Sequence, residues 1–365
     1  MTIGIGGAGS KLALKLDPDA VVVNVSEVEM GKLPAKRKML AVMHSSLGQL
    51  RGSRKNPRLG EEAFHSIREE LLRVSRGNQI FSSTGGGTGN GICSAMLREI
   101  AAGPELPLAD RTQFLLVLPY ARLEPNEFVV NTTEFLEGPL SDAVDSGNTG
   151  NIILFANKLK FESKMTEEEF NNLITRSLKT FLAIPRKNEE LKLLDGHIDA
   201  EDFALFFGKP YFNHFTSFDF NPAEPFAKQL NKHLNPLLLP PENPIEAMFL
   251  LEVPEGGDPC AFYDILEHFN PTSVNPVYSV VENPRLKKPF VTVAMLYSRK
   301  PAELVEDFNQ ISEEHARAKV RKTVEQYVRL QKLEVNLETE LKKAAKQKGS
   351  SENDILVVLK RLGKL

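Results

Sequence analysis

Apolar positions in the first part of the chain fall into two alternating patterns. Continuous, largely β-branched runs at 2–5, 20–25, 79–81, 113–118 and 151–155 have the character of strands buried on both faces. Between them, apolar residues at helical spacing predict helices at 11–16 and 61–76, after Gly91, and from about Asn126. Strand and helix in alternation predict an α/β chain built on a doubly wound parallel sheet. Thr166-Glu167-Glu168-Glu169 then has capping-box spacing. It opens a long central helix whose apolar face is Phe170, Leu173, Ile174, Leu178, Phe181 and Leu182, and which Pro185 is expected to end.

The pattern changes again further on. Residues 204–300 are proline-rich, with strand-like runs at 247–251 and 290–297, and predict a mixed α/β second domain. After Pro301 a long charged helix is expected to about Lys348, with Leu304, Phe308 and Ile311 packing on that second domain. Val320, Val324, Tyr327, Leu330 and Leu333 continue an apolar stripe along it. The expected boundaries are therefore 1–165, 166–203, 204–300, 301–348 and a tail at 349–365. The tail's Ile355-Leu356-Val357-Val358-Leu359 run suggests a docking peptide.

Two glycine turns stand where predicted strands end. Gly4-Ile5-Gly6-Gly7-Ala8-Gly9 satisfies G-x-G-x-x-G, a weak signal on its own. In Gly85-Gly86-Gly87-Thr88-Gly89-Asn90-Gly91, five of seven residues are glycine. A glycine turn between strand and helix aims backbone N–H groups and the positive end of a helix at one point, which favours phosphate. No G-x-x-x-x-G-K-[ST] run is present, so a P-loop is not expected. Two such turns suit a di- or triphosphate held by backbone. A dinucleotide-dependent oxidoreductase would use the first turn, with Glu27 as the ribose acid, but would leave 85–91 and 195–203 unexplained.

Charge and cysteine content narrow the class. A net charge of −3 carries no whole-chain nucleic-acid signature, although residues 317–348 hold ten Lys/Arg against four Glu. Direct DNA binding is not expected. Two cysteines, Cys93 and Cys260, cannot build a zinc cluster or disulfide framework, which fits a reducing compartment. No apolar run approaches the roughly 18 residues of a membrane span, and the N-terminus lacks a signal-peptide pattern, so a cytoplasmic protein is expected.

The residues then converge on a family. Gly85 to Gly91 resembles the tubulin/FtsZ signature GGGTG[ST]G, with Asn90 in place of the hydroxyl residue. Gly6-Gly7-Ala8-Gly9 and Ser10 resemble the first phosphate loop, Asn24-Val25-Ser26 the second, and Asn56-Pro57 with Gly60 the third, which senses the γ-phosphate. Pro119-Tyr120 and Glu124 fall where the ribose loop lies, and Asn157 and Asn171 at the two guanine-reading positions; Asn172 is the rival for the latter. Asp195-Gly196-His197-Ile198-Asp199-Ala200-Glu201-Asp202 resembles the synergy loop, N-x-D-x-x-D, with His197 replacing Asn. Within the superfamily the early N-terminus and long C-terminal helix look most like the phage and plasmid tubulins, the TubZ/PhuZ group.

That resemblance implies a GTP-binding domain (1–165), a central helix with synergy loop (166–203), an activation domain (204–300), GTP/GDP with Mg2+ as cofactors, and no dedicated metal ligands. It implies head-to-tail filaments, in single or multiple strands. Asp199 and Asp202 would polarise the attacking water at the next subunit's nucleotide. Plasmid or phage DNA, a DNA-binding adaptor or a phage compartment would be the cargo, in a bacterial or phage-infected cytoplasm. An FtsZ-like or archaeal-type cytoskeletal GTPase is the alternative within the family, and a non-hydrolysing scaffold the alternative outside enzymes. Taken alone, Asp199 and Asp202 would more often be a helix cap, and Asn157 and Asn171 turn and surface residues. The sequence also departs from the family. Glu167 stands where an aromatic stacks on guanine, leaving Phe170 as the candidate stacker. Phe128 lies near the place of the ribose-loop arginine, and residues 52–56 are unusually basic.

Overall fold

The computed structural model describes residues 1–298 except 46, 47, 50, 51, 240–242 and 273, and beyond them 308, 310, 311, 313, 314, 317, 318 and 320–322. Its strands are β1 (Thr2–Ile5), β2 (Val21–Asn24), β3 (Arg37–Leu40), β4 (His44–Ser45), β5 (Gly48–Gln49), β6 (Gln79–Ser83), β7 (Gln113–Leu118), β8 (Ile152–Ala156), β9 (Lys192–Gly196), β10 (Phe212–Asp219), β11 (Glu246–Val253), β12 (Val277–Glu282) and β13 (Phe290–Tyr297). Helices α1 (Gly6–Leu16), α2 (Glu27–Gly31), α3 (Pro57–Phe64), α4 (Arg68–Ser75), α5 (Gly87–Ala102), α6 (Asn126–Glu137), α7 (Pro139–Ser146) and α8 (Lys158–Glu162) cover the first half. Then come α9 (Glu167–Leu182), α10 (Ile184–Glu190), α11 (Ala200–Phe207), α12 (Phe226–Lys232) and α13 (Phe262–Phe269).

Apart from the β4–β5 pair, the strands form one eleven-stranded sheet in the order β3-β2-β1-β6-β7-β8-β10-β13-β11-β12-β9. From β3 to β8 every pairing is parallel. Alternation along β7 shows why both faces must be covered: Phe114, Leu116 and Leu118 join one apolar cluster with α3, α5 and α6, and Leu115 and Val117 join another beneath α9. Past β8 the pairing becomes mixed, with β13 antiparallel to β10 and β11, and β9 antiparallel to β12.

The junction of the halves is narrow. β8 and β10 share one register pair, Ile152 with Phe212. Helix α9 covers this seam, burying Ile174, Leu178 and Phe181 against Leu115 and Ile153 on one side and Phe215, Met248 and Leu250 on the other. Phe181 stacks on Phe215 with ring centroids 4.7 Å apart, and Asn213 donates to the Asn151 amide oxygen at 2.7 Å.

Several local expectations change. The single helix expected at 61–76 is two, because Ser66 and Ile67 bond three residues back to Ala63 and Phe64 and the Ser66 hydroxyl donates to Ala63 at 2.8 Å, tightening the chain into a turn. The central helix does stop ahead of Pro185, at Leu182, but another helix, α10, follows at once. Pro185 sits in the first turn of α10, where a missing N–H costs nothing. Asp195 and Gly196, expected in a loop, close strand β9, where Gly196 (φ 59°) lies with its Cβ position 2.4 Å from the Tyr278 carbonyl oxygen. Phe308 and Ile311 join the cluster built mainly by the first half, which also takes in Phe212, Leu239 and Tyr297 of the second.

The chain divides into two compact units, 1–311 and 312–365. In the second unit the described residues are helical, with Arg317 paired to Glu313 at 3.1 Å. The rest of the expected C-terminal helix and the tail at 349–365 lie outside the described residues.

Candidate functional site

The first glycine turn is itself the opening turn of α1. Gly6 (φ 72°) occupies the left-handed region, and its Cβ position lies 3.1 Å from the Gly89 nitrogen, so the two glycine turns touch. Both are drawn together at the C-terminal ends of β1 and β6, as strand–turn–helix units place them.

A cleft of about 250 Å³ opens beside them. Ala8, Gly85, Gly86, Glu124, Asn157 and Asn171 all line it, brought from five separate segments. The Asn157 amide nitrogen donates to Glu124 Oε2 at 3.0 Å, and the same carboxylate oxygen accepts from the Tyr120 N–H. Asn171 faces the cleft, whereas Asn172 lines grooves on other faces of α9. The capping box that starts α9 is present, and hydrogen bonds from the Thr166 backbone and side chain hold the Glu169 carboxyl below its ordinary value.

Other expected residues do not offer their side chains to the cleft. Ser10 Oγ donates to the Gly4 carbonyl, and Ser26 and Asn56 cap α2 and α3. Asn24 accepts from Val25 and Ser26 N–H at 2.8 and 3.1 Å and donates to Glu29. Gly9, Gly87, Gly89 and Gly91 are close-packing residues: added Cβ atoms would meet Phe81 O at 2.1 Å, Asn56 N at 2.6 Å, Ser82 Oγ at 2.5 Å and Pro57 O at 2.0 Å. Much of the glycine run therefore seats α5 against β6 and α3, and the cleft sees its first part. Gly7 and Gly86 are open, their Cβ positions 3.7 Å from Glu29 Oε2 and 3.5 Å from Ser83 Oγ.

Asn90 has a clear role. Its amide donates to Thr84 O at 2.5 Å and to Asn131 O at 2.9 Å, and accepts from Ser94 Oγ at 3.1 Å. A hydroxyl in its place has one proton to give. Asn131 answers by donating to Gly85 O at 2.9 Å and Lys55 O at 3.0 Å, so α6 clamps the glycine turn to the 52–56 loop. Sequence reasoning missed Asn131, an unremarkable polar position within an amphipathic helix. Phe128, Lys160, Glu167 and a lining edge of the buried Phe170 complete the cleft, along with Leu12, Ser83, Val117 and Pro119. Glu167 is paired to Lys11 Nζ at 2.9 Å. Cys93, buried behind the turn, has its thiol pushed up to about 12 by burial and is no nucleophile at neutral pH.

Asp199 and Asp202 stand elsewhere. They form a capping box on α11, Asp199 Oδ1 accepting from Asp202 N–H at 2.7 Å. Donor atoms of His197, Asp199 and Asp202 lie within 4.8 Å of one another. Helix α9 begins at the cleft and its sixteen residues run about 24 Å from it at 1.5 Å per residue. Beyond its far end, Asn188 of α10 accepts from Ile198 N–H. The C-terminus of α11 bonds to the start of β8, Asn151 N–H donating to Phe207 O, whereas Asn157 at the other end of β8 lines the cleft.

No protein-family model matches the chain, and comparison with curated proteins finds no match in sequence. Solved structures do match. A GTPγS-form protofilament of Bacillus thuringiensis serovar israelensis TubZ superposes with TM-score 0.69 at 13% identity, over 88% of this chain and 93% of that one. The GDP-bound CetZ1 monomer of Haloferax volcanii gives 0.63 at 16%, over 86% and 98%. The empty FtsZ dimer of M. jannaschii gives 0.58 at 18%, over 82% and 88%. The chain has the tubulin/FtsZ fold. Within that fold the cleft and its glycine turns lie at the C-terminal edge of the parallel strands, where open α/β sheets bind ligands. Among the described residues no helix is long and apolar enough to cross a membrane.

Proposed function

We propose that the chain binds and hydrolyses GTP and polymerises head to tail, each subunit's Asp199 and Asp202 completing the nucleotide site of its neighbour. The observation that carries this reading is the separation just described: a cleft lined by both glycine turns at one end of α9 and the carboxylate pair beyond the other. A carboxylate pair that far from its own cleft can polarise a water only at a second copy's nucleotide. A repeating contact between opposite poles is heterologous and generates an open filament.

Base recognition follows from the cleft's polar groups. With its nitrogen committed to Glu124, the Asn157 amide offers its oxygen to a donor, and guanine's N1–H and exocyclic amine are donors where adenine has an acceptor at N1. Asn171 supplies a second amide. Phosphates would rest on the N–H groups of residues 6–10 and 85–88. The Mg2+ that accompanies them would meet protein oxygen at Glu29, whose carboxylate stands over Gly7. The filaments' proposed work is moving or positioning plasmid or phage DNA or a phage compartment. Likeness to CetZ and FtsZ as well as TubZ keeps a role in cell shape or division as the second reading.

Light scattering and phosphate release with GTP against GDP test the proposal. Polymer that needs GTP, with turnover per subunit rising with protein concentration, is the expected result. Turnover independent of concentration would rule out completion of the site by a neighbour.

A further inference from the structure

Two stretches of the chain each carry charge of one sign. Residues 170–188, which span most of α9 and α10, hold Arg176, Lys179, Arg186 and Lys187 and no acidic residue. Residues 123–157, which include α6 and α7, hold six Asp/Glu and no Lys or Arg. The sheet separates the two. Ile174, Leu178 and Ile184 pack in the cluster of Leu115 and Val117, whereas Phe135, Leu140 and Ala143 pack in that of Phe114, Leu116 and Leu118. The outer faces of these helices therefore look away from opposite sides of the sheet.

On the basic side, Asn172, Arg176, Lys179, Ala183 and Lys187 follow one another at steps of three or four residues and line one open groove, with no carboxylate among its lining residues. Arg186 and Lys187 are paired, to Glu190 and Glu252. Arg176 and Lys179 are exposed and have no ion pair among the described residues. On the acidic side, Glu127, Glu134, Asp142 and Asp145 are likewise exposed and without ion pairs among the described residues. Val130, 38% exposed, shares a helix face with Glu127 and Glu134, three residues after one and four before the other. Arg58 shares a groove with Glu134, which leaves the face acidic. Charge of one sign gathered on a surface repels itself and is relieved by a surface of the other sign. A twofold contact between copies would set like against like. Stacking the basic side of one copy on the acidic side of another opposes the charges, and such a contact is heterologous and repeats. Exposed ion pairs are weak singly, but along a filament they recur at every subunit, so the contact gains strength in polymer and little between monomers.

We propose that filaments of this chain associate side by side, with Arg176 and Lys179 of a subunit in one strand facing the α6–α7 carboxylates of a subunit in the next. This rests on the reading of the chain as a GTP-dependent filament former. Full-length protein is polymerised with GTP at about 0.1 M and about 0.5 M salt, between which the Debye length falls from about 10 Å to about 4 Å. Low-speed sedimentation collects bundles, high-speed sedimentation collects all polymer, and negative-stain electron microscopy counts strands. Wild-type bundles should fall about tenfold at the higher salt while total polymer stays within about twofold. Arg176→Glu/Lys179→Glu and Asp142→Lys/Asp145→Lys should each form single filaments with wild-type GTP turnover and lose bundles about tenfold at the lower salt. Filaments of the first variant are acidic on both sides and those of the second basic on both, so the two, polymerised separately and then mixed, should bundle again. Bundles that persist in either variant, or a mixture that stays single, overturn the pairing of these faces and leave the filament reading standing. Wild-type filaments that never bundle do the same. A wild-type protein that forms no polymer with GTP overturns both.

Discussion

Asn157 gives its amide N–H to Glu124 at 3.0 Å, so a residue of the loop after β7 dictates which end of the amide at the tip of β8 faces the cleft. The two come from neighbouring parallel strands in register, Leu118 pairing with Ala156. A carboxylate can only accept, which leaves the amide oxygen for a ligand's donors. In the proposed site, base selectivity would thus be set one residue behind the group that touches the base.

Removing that acceptor should cost selectivity by weakening the binding of GTP alone. In Glu124→Ala the Asn157 amide is free to rotate, and affinity for GTP should fall by about 1.4 kcal/mol, or tenfold, with ATP affinity little changed. Competition of GTP and ATP against mant-GTP reads the ratio. Equal losses for the two nucleotides would assign Glu124 to the sugar or to loop stability.

Asp199 has two duties that substitution can separate. Its carboxylate caps α11 through Asp202 N–H, and it is the proposed water-polarising group. Asp199→Asn keeps a capping oxygen and loses the charge, whereas Asp199→Ala loses both and about 1 kcal/mol of stability with the cap. Both should bind GTP normally and form filaments that persist because turnover is slowed by two orders of magnitude or so. Only the alanine variant should melt earlier. Wild-type phosphate release from the asparagine variant would reduce Asp199 to a cap.

Much of this was legible in the sequence, and the limits have physical causes. Strands buried on both faces advertise themselves as continuous apolar runs, so β1, β2, β6, β7 and β8 were readable, as was the capping box of α9. Edge strands carry no such mark. β9 has exposed Leu193 and only Leu194 to pack inward, and its place is fixed by pairing with β12, a long-range choice that no local pattern encodes. The site divides the same way. Glycine turns and a carboxylate pair have local spacing; Asn131 and Phe128 matter because helix α6 happens to cross the 52–56 loop. Glycine itself was ambiguous, since a residue needed for a ligand's approach and one needed for a helix's approach look identical until the Cβ is built.

Asn90 should be a stability residue. Replacing it with Ser supplies one hydroxyl proton where the amide served both Thr84 O and Asn131 O, leaving a buried carbonyl short of a donor. The cost should be about 1–3 kcal/mol. A lower urea midpoint for Asn90→Ser, recovered in part by saturating GDP, is the expected outcome. Unaltered stability would mean that Asn131 O finds another donor.

His214, on β10 beside the seam, predicts an acid limit. The ring is fully buried, its Nδ1 donating to Leu239 O at 2.7 Å and its Nε2 accepting from Asn235 N–H at 3.3 Å. One neutral tautomer satisfies both bonds, and a second proton would face an N–H donor. Burial pushes the group down from 6.5 to about 4. The unfolded chain therefore binds this proton first as pH falls. Stability from the neutral ring is complete above pH 6.5 and is lost progressively toward pH 4, by about 3 kcal/mol at most. Urea midpoints should fall between pH 7 and pH 5, with a shallower fall in His214→Gln, whose amide can both donate and accept without titrating. In NMR spectra the His214 ring resonances should hold their neutral shifts down to about pH 5. A ring that titrates near 6.5 in the folded protein would remove His214 as the source of the slope.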